Sequence, residues 1–201
     1  INREFIPGPH GMRYLSLGSL HLHFPGHKEA EEYYRDLNIA DAVATTRYSV
    51  GGVTYTRKTF ASLQDGVVVM RIEASEAAKL NMSLSFDSPF EHNVTAKKNQ
   101  LHVAVRNVGH EGVPASLTAQ CVIRVMADGK TVAGKNTLNV SGATAATIIV
   151  SAATNFVNYH DVSGNALKKA ESYLKAAAGK TYAELLDRHT TAYKRQYARV
   201  S

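Results

Sequence analysis

The stretch RYSVGGVTYTRKTFAS, residues 47–62, decides the fold, because two alternating polar and apolar runs flank a pair of glycines. Gly51 and Gly52 can take the positive φ angles of a two-residue turn at no steric cost. Such a turn sets Tyr48 opposite Tyr55, and side-chain alternation puts both rings on one face. The stretch therefore predicts a β-hairpin that is part of a larger sheet.

The two faces of this hairpin carry different side chains. Val50 and Val53 share the tyrosine face, and the other face is predicted to be wet. Phe60, however, falls on the opposite parity from Tyr55. Either both faces are covered at that point, or a bulge shifts the register. The residues of the predicted wet face are Arg47, Ser49, Thr54 and Thr56.

From about residue 12 to 155 the chain has the pattern of short strands rich in Val, Ile, Thr and Leu. With turn signals and no helices between them, these strands predict a mainly β fold, a large antiparallel β-sandwich or super-sandwich. For residues 25–44 the sequence leaves two interpretations, a short helix or an extended charged segment. Besides the hairpin, the strand candidates are 12–24, 66–74, 79–86, 101–108, 116–127 and 146–153.

Two helices are predicted after about residue 163, where the spacing of the apolar residues changes from that of a strand to that of a helix. The first ends at Gly179. The second covers 181–200, about 20 residues, and Thr181 with Glu184 fits a capping box at its start. An apolar stripe on this helix needs a surface to lie on. Its members are Tyr182, Leu185, Leu186, His189, Tyr193, Tyr197 and Val200.

Composition indicates a globular chain rather than a disordered one, because 44% of the 201 residues are hydrophobic and 20% are charged. The length suits one large domain with a small appendage, which we divide into a β-sandwich over 1–160 and a helical linker over 161–201. No apolar run reaches the length of a membrane span. Because the chain begins at Ile1 without a signal peptide, we expect it to be trimmed from a longer protein.

The net charge of +6 raises nucleic acid as a partner, but the 23 Lys and Arg are spread along the chain and no nucleic-acid-binding signature is present. We therefore interpret them as a solvated surface. Cys121 cannot form an intrachain disulfide, and its apolar neighbours predict burial.

Three histidines could begin a metal site, since His21 and His23 share one face of a strand and His27 follows. A zinc site needs a third or fourth ligand. Strand alternation explains the pair equally well, with Leu20, Leu22 and Phe24 inward, so no metal site and no cofactor is predicted.

Two polar loops supply the remaining candidates. The first, 87–94, contains Asp87, Glu91 and His92, but two acids in one loop do not make a glycosidase pair. The second, 153–161, contains Asn155, Asn158, His160 and Asp161, which could bind a polar ligand or form Asx turns and helix caps. No catalytic set is visible. The residues predicted to line a substrate rim are Phe90, His92, Asn155, Asn158 and His160.

Residues 33–75 resemble the N-terminal domain of glycoside hydrolase family 95, the inverting α-L-fucosidases. Residues 12–24, 153–164 and 185–200 resemble the family's upstream strand and the segment that leads into its linker. Lys58 departs from the commonest family form, which has Glu there. The matching residues are Tyr34, Arg35, Leu37, Ala42, Ala44, Tyr48, Gly52, Tyr55, Arg57, Phe60, Ser62, Asp65 and the strand 67–71.

The resemblance implies a β-sandwich, then a helical linker, then an (α/α)6 barrel that holds a catalytic Glu and an Asp-assisted Asn pair. None of those barrel motifs is in this sequence, so the resemblance gives this chain no catalytic residue. It implies a carbohydrate substrate for the parent, a secreted or periplasmic location, and docking of the barrel on Tyr193, Tyr197 and Val200, which we expect to be exposed or covered by a neighbouring chain. The alternatives are an independent carbohydrate-binding module and the N-terminal domain of a maltose-phosphorylase-like enzyme.

Overall fold

A computed structural model describes residues 16–110 and 112–200. Its elements confirm a mainly β sandwich followed by two helices; the part of the 12–24 run before Ser16 lies outside the described residues. The elements are β1 Ser19–His23, β2 Glu31–Asn38, β3 Val43–Val50, β4 Val53–Ser62, β5 Val67–Ala74, β6 Leu80–Asp87, β7 His92–Lys97, β8 Gln100–Arg106, β9 Thr118–Ala127, β10 Lys130–Ala133, β11 Leu138–Ala143, β12 Ala145–Thr154, α1 Ala166–Ala178 and α2 Tyr182–Tyr197.

The strands form two antiparallel sheets. The small sheet has the order β1-β6-β11-β10, and the large sheet has the order β2-β3-β4-β5-β12-β9-β8-β7. Apolar side chains from both sheets meet in one core, since alternate residues of each strand point inward. Its fully buried members include Leu80, Leu84, Leu101, Ile123, Leu138 and Ile148.

The hairpin has the predicted register. Tyr48 pairs with Tyr55, and their rings stack with centroids 5.6 Å apart. Gly51 and Gly52 have φ angles of 56° and 82°, which L side chains rarely adopt. The glycine pair therefore fixes the turn, and the turn fixes which face of β3 and β4 enters the core.

Phe60 shows that both faces of the large sheet are covered. Its ring is 2% exposed and packs beneath the helices, and β4 has no register shift there. The predicted wet face is thus wrong in part. Ser49 is buried, and its hydroxyl donates to the carboxylate of Glu32 at 3.0 Å, because β2 covers that edge of the hairpin.

The segment 25–44, for which the sequence left two interpretations, contains an extended edge strand, β2, and no helix. All eight of its residues are exposed, so it has no burial alternation that the sequence could show. Its pairing with β3 shifts between Glu31 and Tyr34, where Glu32 has a φ of 51°. This bulge ends the regular ladder near the start of the strand.

Both predicted helices are present, and the second is shorter than predicted. α1 is followed by Gly179, which has a right-handed φ of −80° and not the left-handed cap conformation. Thr181 and Glu184 form the predicted capping box, but α2 ends at Tyr197, three residues before Val200. The helices and the outer face of the large sheet share a second core, which includes Val69, Ile149, Leu174 and Leu185.

Cys121 is buried, as predicted, and burial raises the pKa of its thiol to about 12. Among the described residues, neither helix has the length and apolar character needed to cross a bilayer.

Candidate interdomain surface

The exposed apolar side chains of the large sheet's connections are concentrated at one end. The antiparallel order places the β2–β3 and β4–β5 turns, the β8–β9 loop and the segment after β12 at this end, which we call the loop end. The opposite turns, 51–52, 75–79, 98–99 and 128–129, contain no large apolar residue. Exposed large apolar residues of the loop end are Ile39, Leu63, Val108, Val113, Phe156, Val157, Tyr159 and Val162.

Asn155 connects two segments of the loop end. Its side-chain oxygen accepts from the backbone N–H of Thr118 at 2.8 Å, and its amide donates to the carbonyls of Ser116 and Val162 at 3.0 and 2.7 Å. With its side chain engaged in three hydrogen bonds, Asn155 holds these loops together.

Asn158 and His160 lie in a tight turn beside Asn155. The oxygen of Asn158 accepts from the backbone N–H of His160 at 2.9 Å, which is an Asx turn. The ring centroids of His160 and Tyr159 are 3.8 Å apart, and Tyr159 is 86% exposed. Asp161 accepts from Ser163, and these hydrogen bonds lower the pKa of its carboxyl.

Phe90 and His92 lie on the other side of the loop end. Nδ1 of His92 donates to the carbonyl of Phe90 at 2.7 Å, and its Nε2 lies 3.5 Å from Asp87. Phe90 lines a cavity of about 360 Å³ together with Leu17, Val105, Leu117 and the ends of β9 and β12. This cavity is mainly apolar, and of the five predicted rim residues Phe90 alone lies in its wall.

The helix α2 contacts the loop end through His189 and Tyr193. Nε2 of His189 donates to the carbonyls of Asp41 and Ala42 at 3.0 and 3.1 Å, and its ring stacks on Phe60. The hydroxyl of Tyr193 donates to the carbonyl of Ile39 at 2.8 Å. The second half of α2 is thereby attached to the β2–β3 turn.

An ionic cluster attaches the first half of α2 and the residue Lys180 before it to the β4–β5 turn. The carboxylate of Asp65 is 3% exposed and lies 3.0 Å from the guanidinium of Arg188 and 3.5 Å from the Lys180 ammonium. The hydroxyl of Ser62 donates to the same carboxylate at 2.9 Å. Sequence reasoning identified Asp65 only as a matching residue, and no sequence signal paired it with Arg188.

A small cavity lies where α2 crosses the two turns, with a volume of about 220 Å³. We call it the socket. Its wall is almost wholly apolar and consists of Ala42, Ala61, Leu63, His189, Ala192 and Tyr193. The sequence could not reveal it, because its wall comes from three segments far apart in the chain.

The three docking candidates differ in exposure. Tyr193 is half-buried because the β2–β3 turn covers it, which differs from the expected exposure. Tyr197 is also half-buried and stacks on Tyr193 with centroids 5.7 Å apart. Val200, beyond the helix, is 85% exposed.

The histidines of β1 are arranged as strand alternation predicts. His21 and His23 are exposed, whereas Leu20 and Leu22 pack against the core. His27 has its Nδ1 2.9 Å from the hydroxyl of Tyr48. Within 16–110 and 112–200, no three metal-ligating side chains come together.

Comparison with known proteins gives the family. Residues 1–159 match the model of the glycosyl hydrolase family 65 N-terminal domain. The chain is 26% identical to alpha-L-fucosidase 2 of Arabidopsis thaliana over 94% of its length, and 26% identical to the probable alpha-fucosidase A of Aspergillus oryzae over 70%. It spans only 26% and 20% of those two proteins.

Solved structures show the same fold. A protein described as a kojibiose phosphorylase from the human microbiome superposes with a TM-score of 0.52 at 12% identity, over 80% of this chain and 22% of that one. A bacterial glucoamylase complexed with acarbose superposes with a TM-score of 0.54 at 9% identity, over 88% of this chain and 31% of that one. The resemblance to an N-terminal domain of a glycoside hydrolase is confirmed, although the matching family model is that of family 65 and not 95. The chain belongs to the family of glycosyl hydrolase family 65 N-terminal domains.

Proposed function

We propose that this chain is the non-catalytic N-terminal β-sandwich of a family-95-like α-L-fucosidase that acts on fucosylated glycans. The observation that carries the proposal is the match to alpha-L-fucosidase 2, which covers 94% of this chain and only 26% of that protein. In the proposed parent, residues 1–160 are the sandwich and 161–201 are the linker to a catalytic (α/α)6 barrel. The parent is secreted or periplasmic.

The chemistry of the loop end agrees with a supporting role. Inverting hydrolysis needs a carboxylic acid beside the leaving oxygen and a base on the opposite face of the sugar. Asp87 lies near His92 on one loop, and Asp161 accepts a hydrogen bond from Ser163 on another. These two candidate acids therefore lie on different loops and do not form such a pair.

A second candidate, a phosphorylase parent of the maltose-phosphorylase type, is favoured by the family 65 match. The two candidates predict different activities for the full-length parent. A fucosidase releases fucose with inversion and without phosphate, whereas a phosphorylase breaks a glucoside only when phosphate is present.

The experiment is an assay of the full-length parent on an aryl α-L-fucoside, an aryl α-galactoside, and maltose or kojibiose with and without phosphate. We expect phosphate-independent release of fucose. Phosphate-dependent cleavage of a disaccharide would replace the first candidate by the second, and inactivity on all of these substrates would contradict both. Fractionation of the source cells tests the location.

A further inference from the structure

We propose that the socket is the anchor point of the catalytic domain, and that it takes one large aliphatic or aromatic side chain from that domain. The proposal rests on the proposed function, because it requires a catalytic domain in the same parent. It goes further by naming the surface that docks, the chemistry of the side chain that enters it, and the charge of the surrounding partner surface.

The wall of the socket selects an apolar occupant. Four of its six residues are Ala or Leu: Ala42, Ala61, Leu63 and Ala192. The two polar residues have donors already engaged by backbone carbonyls, Nε2 of His189 with those of Asp41 and Ala42 and the hydroxyl of Tyr193 with that of Ile39. A sugar would lose hydration of its hydroxyls there and gain few hydrogen bonds, whereas an apolar side chain gains burial.

The socket is formed before anything binds. Asn38 accepts from the backbone N–H groups of Ala40 and Asp41 at 3.0 and 3.2 Å, which closes the β2–β3 turn. Lys194 pairs with Asp41 at 2.7 Å, so α2 and this turn are joined by a side-chain ion pair as well as by the carbonyl contacts. A preformed pocket loses little conformational entropy on binding, which is a property of interface anchor sites.

The surroundings of the socket indicate what carries the occupant. Exposed Ile39 lies on the turn that contacts Tyr193, and α2 presents exposed Arg195 three residues after Ala192, with Arg199 beyond the helix end. The matching partner surface is therefore apolar at its centre and acidic at its rim. The fucosidase relatives are about four to five times as long as their matched parts, so such a surface has ample chain to come from.

The test fills the socket in the full-length parent and, in parallel, in this chain. Ala192→Phe places a ring in the cavity, and Thr191→Phe places the same ring on the neighbouring exposed position as the matched control. Because Ala192→Phe could disturb α2 itself, Leu63→Glu provides a second variant: Leu63 lines the socket but is 74% exposed, and Gln64→Glu is its control.

Hydrogen exchange of residues 39–42, 61–66 and 190–200 is the readout. We expect exchange at least about tenfold slower in the parent than in this chain, with that difference abolished by Ala192→Phe and Leu63→Glu and kept by both controls. Equal exchange in parent and chain, or slow exchange retained in both socket variants, would overturn the socket proposal. A dimer of this chain that Leu63→Glu dissociates would also overturn it, since a second copy would then be the occupant. Loss of the proposed function would show separately, as a parent inactive on every substrate.

Discussion

Arg188 and Asp65 are 123 residues apart in the chain, and Nε of Arg188 donates to both carboxylate oxygens of Asp65 at 3.0 and 3.3 Å. The carboxylate is almost fully buried, whereas the Arg188 side chain is 36% exposed. Removing one partner therefore has a different consequence from removing the other. Replacing Arg188 leaves a buried charge, but replacing Asp65 leaves a cation that water can reach.

We predict that Arg188→Met destabilises this chain by up to about 3 kcal/mol, since Lys180 and Ser62 still contact the buried carboxylate. Asp65→Asn, which keeps the side-chain shape and removes the buried charge, should cost less. Urea unfolding of the two variants gives the comparison. A larger loss for Asp65→Asn would show that the contacts of the carboxylate with Arg188, Lys180 and Ser62 together outweigh the cost of burying its charge.

Leu185 tests whether α2 is part of the fold. The side chain is fully buried between α2 and the large sheet, so Leu185→Ala should lower the free energy of unfolding by about 2–5 kcal/mol. Leu63→Ala is the control, because its side chain is 74% exposed and should change stability by less than about 0.5 kcal/mol. Similar small effects of both changes would mean that α2 does not pack on the sandwich in solution.

His27 gives the chain a pH dependence. Burial lowers the pKa of its imidazole below 6.5, and Tyr48 can donate to its Nδ1 only while that nitrogen is unprotonated. The unfolded chain then binds a proton more readily than the folded one, so stability from this group is present above pH 6.5 and is lost as the pH falls toward the lowered pKa.

We expect thermal unfolding of the wild type to move to lower temperature between pH 7.5 and 5.5, and His27→Gln to reduce that change. Titration of the carboxyl groups is common to both proteins and cancels in the comparison. An identical change in the two proteins would exclude His27 as the cause.

Much of the fold could be predicted, because strand alternation and turn chemistry are local. The Gly51-Gly52 turn and the Thr181 capping box depend on a few adjacent residues, and both have the predicted geometry. The strand β2 cannot be predicted from its pattern, because an edge strand exposed on both faces has no alternation. The short strands β7, β10 and β11 have no pattern long enough to predict them, and β7 contains the last three residues of the predicted polar loop 87–94.

The candidate surface could be predicted only in part. The stripe of α2 indicated that the helix packs on something, but the partner of Tyr193 is a backbone carbonyl 154 residues away. Carbonyl contacts have no sequence signature, so the half-burial of Tyr193 was not expected. The socket depends on three such long-range contacts and was beyond any local pattern.

Replacing Asn155 tests whether its side chain holds the loops together or binds a ligand. Asn155→Ala leaves the N–H of Thr118 and the carbonyls of Ser116 and Val162 without this partner, which should cost about 1–3 kcal/mol. Hydrogen exchange should become faster in 107–117 and 156–164, with the hairpin 47–62 as the internal reference. If exchange is unchanged while the parent loses affinity for its glycan, Asn155 is a ligand residue instead.

The central claim, that this sandwich carries no glycosidase chemistry of its own, is tested most directly by assaying this chain alone on an aryl α-L-fucoside at high protein concentration, with contaminating hydrolase excluded. We predict no turnover, since general acid catalysis needs two opposed carboxyl groups and the candidate acids Asp87 and Asp161 lie on different loops. The expected result is a rate equal to buffer. Turnover by this chain that is abolished by Asp87→Asn, Glu91→Gln or Asp161→Asn would contradict the claim and place the reaction in this domain.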